Sequence, residues 1–166
     1  VFIGQTYHGA STQEIDIYGW YRDAMRRIRE VTERPVLFRQ HPRLFRTHYR
    51  RIADVARIKA AFRKLINWKI STEWRLATDL AKAHSVVVYS SNAGVLPVVL
   101  GIPTFVGDDI SMAWDVNAGP LEKIEKPELK DRTRWANGLA YAQWNCREMA
   151  NGECWAHFRG HAVKKK

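Results

Sequence analysis

The chain has 166 residues, of which 27 are Lys or Arg and 17 are Asp or Glu, for a formal charge of +10. That length holds one ordinary core and excludes two large lobes. A hydrophobic share of 46% with seven Trp, six Tyr and six Phe excludes intrinsic disorder and low-complexity or collagen-like classes, and two cysteines exclude a disulfide framework.

The longest apolar stretch, 86–106, is broken by Ser90, Ser91, Asn92, Pro97, Gly101 and Pro103, so no membrane-spanning segment is expected. Cys146 and Cys154, with no zinc-ligand spacing beside them, make a reducing cytoplasm the default location. A pI near 9.9 predicts attraction to polyanions, anionic lipid or phosphorylated small molecules. The chain opens on strand-like Val1, Phe2, Ile3 and Gly4 with no initiator Met, which suggests a fragment or the second half of a longer protein.

Apolar runs alternate with helix-period segments, which predicts an α/β, Rossmann-like three-layer domain with a parallel sheet of about five strands. The predicted strands are 1–4, 35–39, 68–70, 85–89 and 104–106. Helix 17–31 is read from Ile17, Trp20, Tyr21, Ala24, Ile28 and Val31, and helix 50–65 from Ile52, Val55, Ala56, Ile58, Phe62 and Leu65. Shorter helices are expected at 73–83 and 93–100. A long C-terminal helix over 131–150 is expected to be capped by Asp131, with Trp135, Leu139, Ala142, Cys146 and Met149 on a packed stripe and Gly152 past its end. One domain is thus read over 1–160, with a basic tail at 161–166.

In open α/β sheets ligands sit outside the carboxyl ends of the strands, at the switch point of strand order. Three loops are therefore candidates. Gln5 and Thr6 lie in the small-residue loop after the first strand, whose backbone N–H groups suit a phosphate, although neither a Walker A nor a Gly-x-Gly-x-x-Gly pattern is present. Arg39, His41 and Pro42 follow the second strand, where an imidazole on a Pro-stiffened turn can donate to phosphate. Ser90, Ser91 and Asn92 follow the fourth strand, where hydroxyls at a helix start serve either as caps or as anion ligands.

The pair His41-Pro42 and Ser90-Ser91 resembles the two short motifs of bacterial sialyltransferases, polysialyltransferases and capsule-type Kdo transferases of the GT-B fold. The segments Ser90 to Gly94, Gly101-Ile102-Pro103, Met112 to Asp115 and Asn117 to Gly119 are similar to the end of many GT-B donor lobes. The resemblance covers roughly residues 1–120. It implies a C-terminal lobe that grips the phosphate of a CMP- or UDP-linked sugar, with His41 stabilising the leaving group and Asp115 or Asn117 meeting sugar or ribose hydroxyls. The Glu-x7-Glu pair of many retaining enzymes is absent, with Leu96 where its second Glu would stand, which argues against a retaining UDP- or ADP-sugar enzyme. An inverting transfer is expected, in which His41, Arg39, Ser90, Ser91 and the start of helix 93–100 serve the leaving phosphate without a metal, with no cofactor beyond the donor substrate.

The acceptor would be a glycan or another anionic polymer such as DNA, and the acidic base would come from a missing N-terminal lobe or partner chain; oligomerisation is compatible with the sequence. Asp108-Asp109 reads as a solvated turn, and Trp135, Tyr141 and Trp144 as core. The basic residues Arg43, Arg46, Arg50, Arg57 and Lys64 read as one exposed helix face. Two other classes compete with the transferase lobe: a basic Rossmann-like module that holds nucleic acid, and a nucleotide-sugar epimerase-like enzyme.

Overall fold

The computed structural model describes residues 1–7, 12, 14–46 and 48–162, apart from the side chains of 45, 46, 48, 161 and 162. The expected basic tail therefore falls outside the described residues at 163–166, as does the middle of the first loop at 8–11. The elements run β1 (Phe2–Ile3), α1 (Ile17–Val31), β2 (Val36–Arg39), α2 (His48–Ala61), β3 (Trp68–Ile70), α3 (Leu76–Leu80), β4 (Val86–Val88), α4 (Val95–Val99), β5 (Thr104–Val106), α5 (Thr133–Tyr141), α6 (Cys146–Ala150) and α7 (Glu153–Ala162). No helix among the described residues is long and apolar enough to cross a membrane.

The five strands form one all-parallel sheet in the order β3-β2-β1-β4-β5, the Rossmann-like arrangement that the β-α alternation predicts. Side-chain alternation sends Phe2, Phe38, Val87, Tyr89 and Phe105 into a core shared with Tyr21, Ile28, Ile58 and Phe62 of the α1 and α2 side. Ile3, Val86 and Val88 face the other way, into a smaller core with Leu80. Rings dominate the first core: Phe2 stacks on Phe38 with centroids 5.5 Å apart and meets Tyr21 edge-on at 5.5 Å, while Phe62 bridges Phe38 and Trp68 at 5.6 and 5.0 Å.

α1 has the expected bounds because Asp16 caps it, accepting from Gly19 N at 2.9 Å, and because Ile17, Tyr21, Ala24, Met25 and Ile28 form its buried stripe. α2 is phased differently from the expectation. Its buried line is Asp54, Ile58 and Phe62, and Ile52 is 54% exposed rather than packed.

The C-terminal expectation of one long helix is corrected. α5 ends at Tyr141 and α6 restarts at Cys146, because Asn145 forms a capping box: its side chain accepts from Arg147 N and Glu148 N, each at 3.0 Å, while Glu148 accepts from Asn145 N at 2.8 Å. The N-cap of α5 is Arg132, not Asp131. Gly152, at φ +84°, follows α6 in the left-handed conformation that terminates helices. Neither α5 nor α6 buries a residue, so the expected packed stripe is absent. The rings of this segment instead meet one another, Tyr141 and Trp144 lying 4.4 and 5.0 Å from His157.

The chain divides into two compact units, Val1–Asp131 and Arg132–Lys166, where the sequence reading draws no boundary before 160. The sheet and every candidate site residue belong to the first.

Candidate functional site

Parallel pairing fixes which loops are neighbours. Ile3 is level with Arg39 of β2 and with Val88 of β4, so the chain segments that follow, Gly4-Gln5, Gln40-His41 and Tyr89 to Ser91, leave the same carboxyl edge on three adjacent strands. With strands spaced at about 4.8 Å, the His41 and Ser90 backbones emerge about 10 Å apart with Gln5 between them. Strand succession reverses at β1, running to β2 and β3 on one side and to β4 and β5 on the other while every strand stays parallel, which puts the switch point between Gln5 and Ser90.

Gln5 and Ser90 close that point by reciprocal bonds. Gln5 Nε2 donates to Ser90 Oγ at 3.1 Å and Ser90 N donates to Gln5 Oε1 at 2.8 Å, both residues being buried. Gln5 N donates to Tyr21 Oη at 2.6 Å, anchoring the end of β1 on α1. Gly4 is required just before it, since a Cβ there would stand 2.9 Å from the Phe38 ring and 3.2 Å from Arg39 O. Thr12 Oγ1 donates to Thr6 O at 2.8 Å, pinning the neck of the following loop.

His41 is half-buried and precedes the one-turn helix Pro42–Arg46. Its Nδ1 accepts from Arg43 N at 3.1 Å, which leaves the proton of the neutral ring on Nε2. Burial, and next the Arg43 charge, hold its pKa below the usual histidine value, with Asp54 opposing them. The imidazole is thus an uncharged Nε2–H donor near neutral pH. Ser91 caps the turn Asn92–Gly94, its Oγ accepting from Ala93 N at 3.2 Å. Both serine oxygens are used as acceptors, so each hydroxyl keeps its O–H as a donor. Asn92 is exposed at the start of that turn.

Arg39 does not join this edge. Alternation turns it to the α3 side of the sheet, where its buried guanidinium meets Asp79 Oδ2 at 2.5 Å, Glu73 O at 2.9 Å and Trp74 O at 2.5 Å, and where Ser71 Oγ also bonds Asp79. It braces the β3–α3 connection. Asp115 is exposed in the one-turn helix Trp114–Val116, and no hydrogen bond among the described residues ties its carboxylate to the edge. Asn117 is a backbone tie, accepting from Val106 N at 3.2 Å and Gly119 N at 3.3 Å. The expected solvated turn holds for Asp109, which is exposed, and is corrected for Asp108, which is half-buried and accepts from Tyr89 Oη at 2.5 Å and from Ile110 N at 3.0 Å. The Tyr89 hydroxyl is pushed up to about 12, by burial first and then by Asp108.

A second layer behind His41 escapes the sequence reading. Gln40 Nε2 donates to Asp54 Oδ2 at 2.7 Å and Tyr18 Oη to Asp54 Oδ1 at 2.5 Å, while the Arg57 guanidinium lies over the rings of Tyr7 and Tyr18 at 4.9 and 5.7 Å. The available signal was Asp54 itself, the one acidic residue between 43 and 67, standing in line with Ile58 and Phe62. An acid on a buried stripe needs partners. The arrangement as a whole offers neutral, preoriented donors at a switch point, a chemistry suited to an anionic group. Compared with protein-family models, curated proteins and solved structures, the chain matches none.

Proposed function

We propose that the carboxyl edge of the Val1–Asp131 unit binds the phosphate of a nucleotide-sugar, as the donor lobe of an inverting, metal-independent glycosyltransferase resembling the GT-B enzymes with His-Pro and Ser-Ser motifs. The observation that carries the reading is the adjacency of the two motifs on strands flanking β1, with Gln5 and Ser90 locked across the switch point. His41 Nε2–H and the hydroxyls of Ser90 and Ser91 are the donors to phosphate oxygens. Gln5 sets the position of Ser90, and the Asp54 layer holds the strand end beneath His41.

In the transfer, an acceptor oxygen attacks the anomeric carbon and the bond from that carbon to the donor phosphate oxygen breaks, its electron pair leaving with the nucleotide. Donors placed where that charge develops lower the barrier. The acceptor proton goes to a base outside this edge, in a second lobe or partner chain, so this chain binds donor without efficient turnover.

Calorimetric titration of the full chain with CMP and UDP tests the reading. One nucleotide binds, and His41→Ala or Ser91→Ala weakens it by roughly tenfold or more, the usual cost of a hydrogen bond to a charged group. Absence of binding by either nucleotide, or binding indifferent to both substitutions, overturns it.

A further inference from the structure

The charge of this protein is unevenly placed. Between positions 43 and 67 stand eight Lys and Arg and a single acid, Asp54, whose carboxylate is turned inward to Gln40 and Tyr18. None of the ion pairs among the described residues uses Arg50, Lys59, Arg63 or Lys64.

The outward face of α2 also carries exposed apolar side chains. Opposite the buried line of Asp54, Ile58 and Phe62, helical spacing places Tyr49, Ile52, Ala56, Lys59 and Ala60, and Arg63 stands in the turn that follows the helix. Tyr49 is 79% exposed, Ile52 54% and Ile66, just past the helix, 75%. Arg50 and Lys64 flank this stripe. Large apolar tips bordered by unpaired cations, with no outward acid, form the pattern of a helix that lies in a bilayer interface rather than of a merely solvated one.

We infer that the outer face of α2, continued by Lys64 and Ile66, docks this protein peripherally on an anionic lipid surface. The cations meet lipid headgroup phosphates, and Tyr49, Ile52 and Ile66 enter the headgroup–acyl boundary. A nucleic-acid track would use the same cations but would draw nothing from two outward isoleucines, which is why the bilayer is the partner the surface fits. The chain enters α2 directly from the His41 turn, so a docked α2 holds the carboxyl edge beside the membrane, within reach of a lipid-linked acceptor. That consequence alone rests on the proposed function; the docking stands without it.

Co-sedimentation of the full chain with vesicles tests the inference, using phosphatidylcholine alone and phosphatidylcholine mixed with phosphatidylglycerol. The expected result is binding to the mixed vesicles only, weakened by salt. Exchanging Arg50, Lys59, Arg63 and Lys64 for Gln should reduce it at least about tenfold, given the attraction of each cation near an anionic surface. The pair Ile52→Ser and Ile66→Ser should reduce it by several-fold, with thermal melting unchanged in both variants because every exchanged side chain is exposed. No binding to mixed vesicles overturns the inference. So does binding that the isoleucine pair leaves unchanged and that duplex DNA competes away, which would assign the surface to a nucleic acid.

Discussion

Gln5 and Ser90, separated by 85 positions in the chain, exchange two hydrogen bonds across the boundary between β1 and β4, one from the Gln5 amide to the Ser90 hydroxyl and one from Ser90 N to the Gln5 carbonyl oxygen. The pair fixes where the fourth-strand loop begins and hence where the Ser90 and Ser91 hydroxyls stand relative to His41. Gln5→Leu removes both partners from a buried backbone donor and hydroxyl. The expected loss is about 1–3 kcal/mol of unfolding free energy by urea titration, with weaker nucleotide binding at temperatures where the variant is folded. An unchanged denaturation midpoint would show that the pair positions nothing.

His41 gives folding a pH dependence of definite sign. Its folded pKa lies below the unfolded value, so the unfolded chain binds more protons in that window. The stability conferred by the neutral ring is therefore present above the unfolded value, about pH 6.5, and is lost as pH falls toward the folded one. Urea midpoints measured on either side of that window should show a modest decrease on the acid side in the native chain, smaller in His41→Gln. Equal slopes in the two proteins would place the titration elsewhere.

The Arg39–Asp79 pair is internal bracing. Asp79→Ala leaves a buried guanidinium without its carboxylate and should cost about 3–5 kcal/mol by chemical denaturation. Replacing both residues by apolar ones of similar size, Arg39→Met with Asp79→Leu, should restore much of that loss without abolishing nucleotide binding. If the double variant folds and loses binding, Arg39 has a part in the site.

Tyr18→Phe withdraws one of two neutral donors from buried Asp54. A loss of about 1–3 kcal/mol is expected from the unsatisfied carboxylate oxygen, measurable by thermal unfolding. A neutral outcome would mean that Arg57 or water replaces the hydroxyl.

What was readable from sequence was what local chemistry determines. β3 and β5 fall on the predicted residues because short β-branched or aromatic runs are bounded by turn residues, and α1 because Asp16 and an apolar stripe mark it. The three edge loops follow from the β-α alternation alone. The break between α5 and α6 depends on a capping box that competes with an otherwise continuous helical period, and propensity does not rank those two outcomes. Arg39 looked like a ligand donor because it adjoins His41. Its actual direction is set by strand alternation and by Asp79, a partner 40 residues away that no local pattern announces. The Ile52 phase was misread for the same reason: Asp54, not an apolar residue, holds the buried line in the first turns of α2, and its partners Gln40 and Tyr18 come from other elements.

The most direct measurement is the magnetic resonance of the imidazole nitrogens during titration with CMP and with UDP, His41 being identified among the six histidines by His41→Gln. Occupation of the carboxyl edge by a nucleotide phosphate should shift His41 Nε2 and raise the pKa of this ring, because a phosphate favours the imidazolium, while the other histidine signals stay in place. Nucleotide binding that leaves the His41 signal and its titration unmoved would contradict the account.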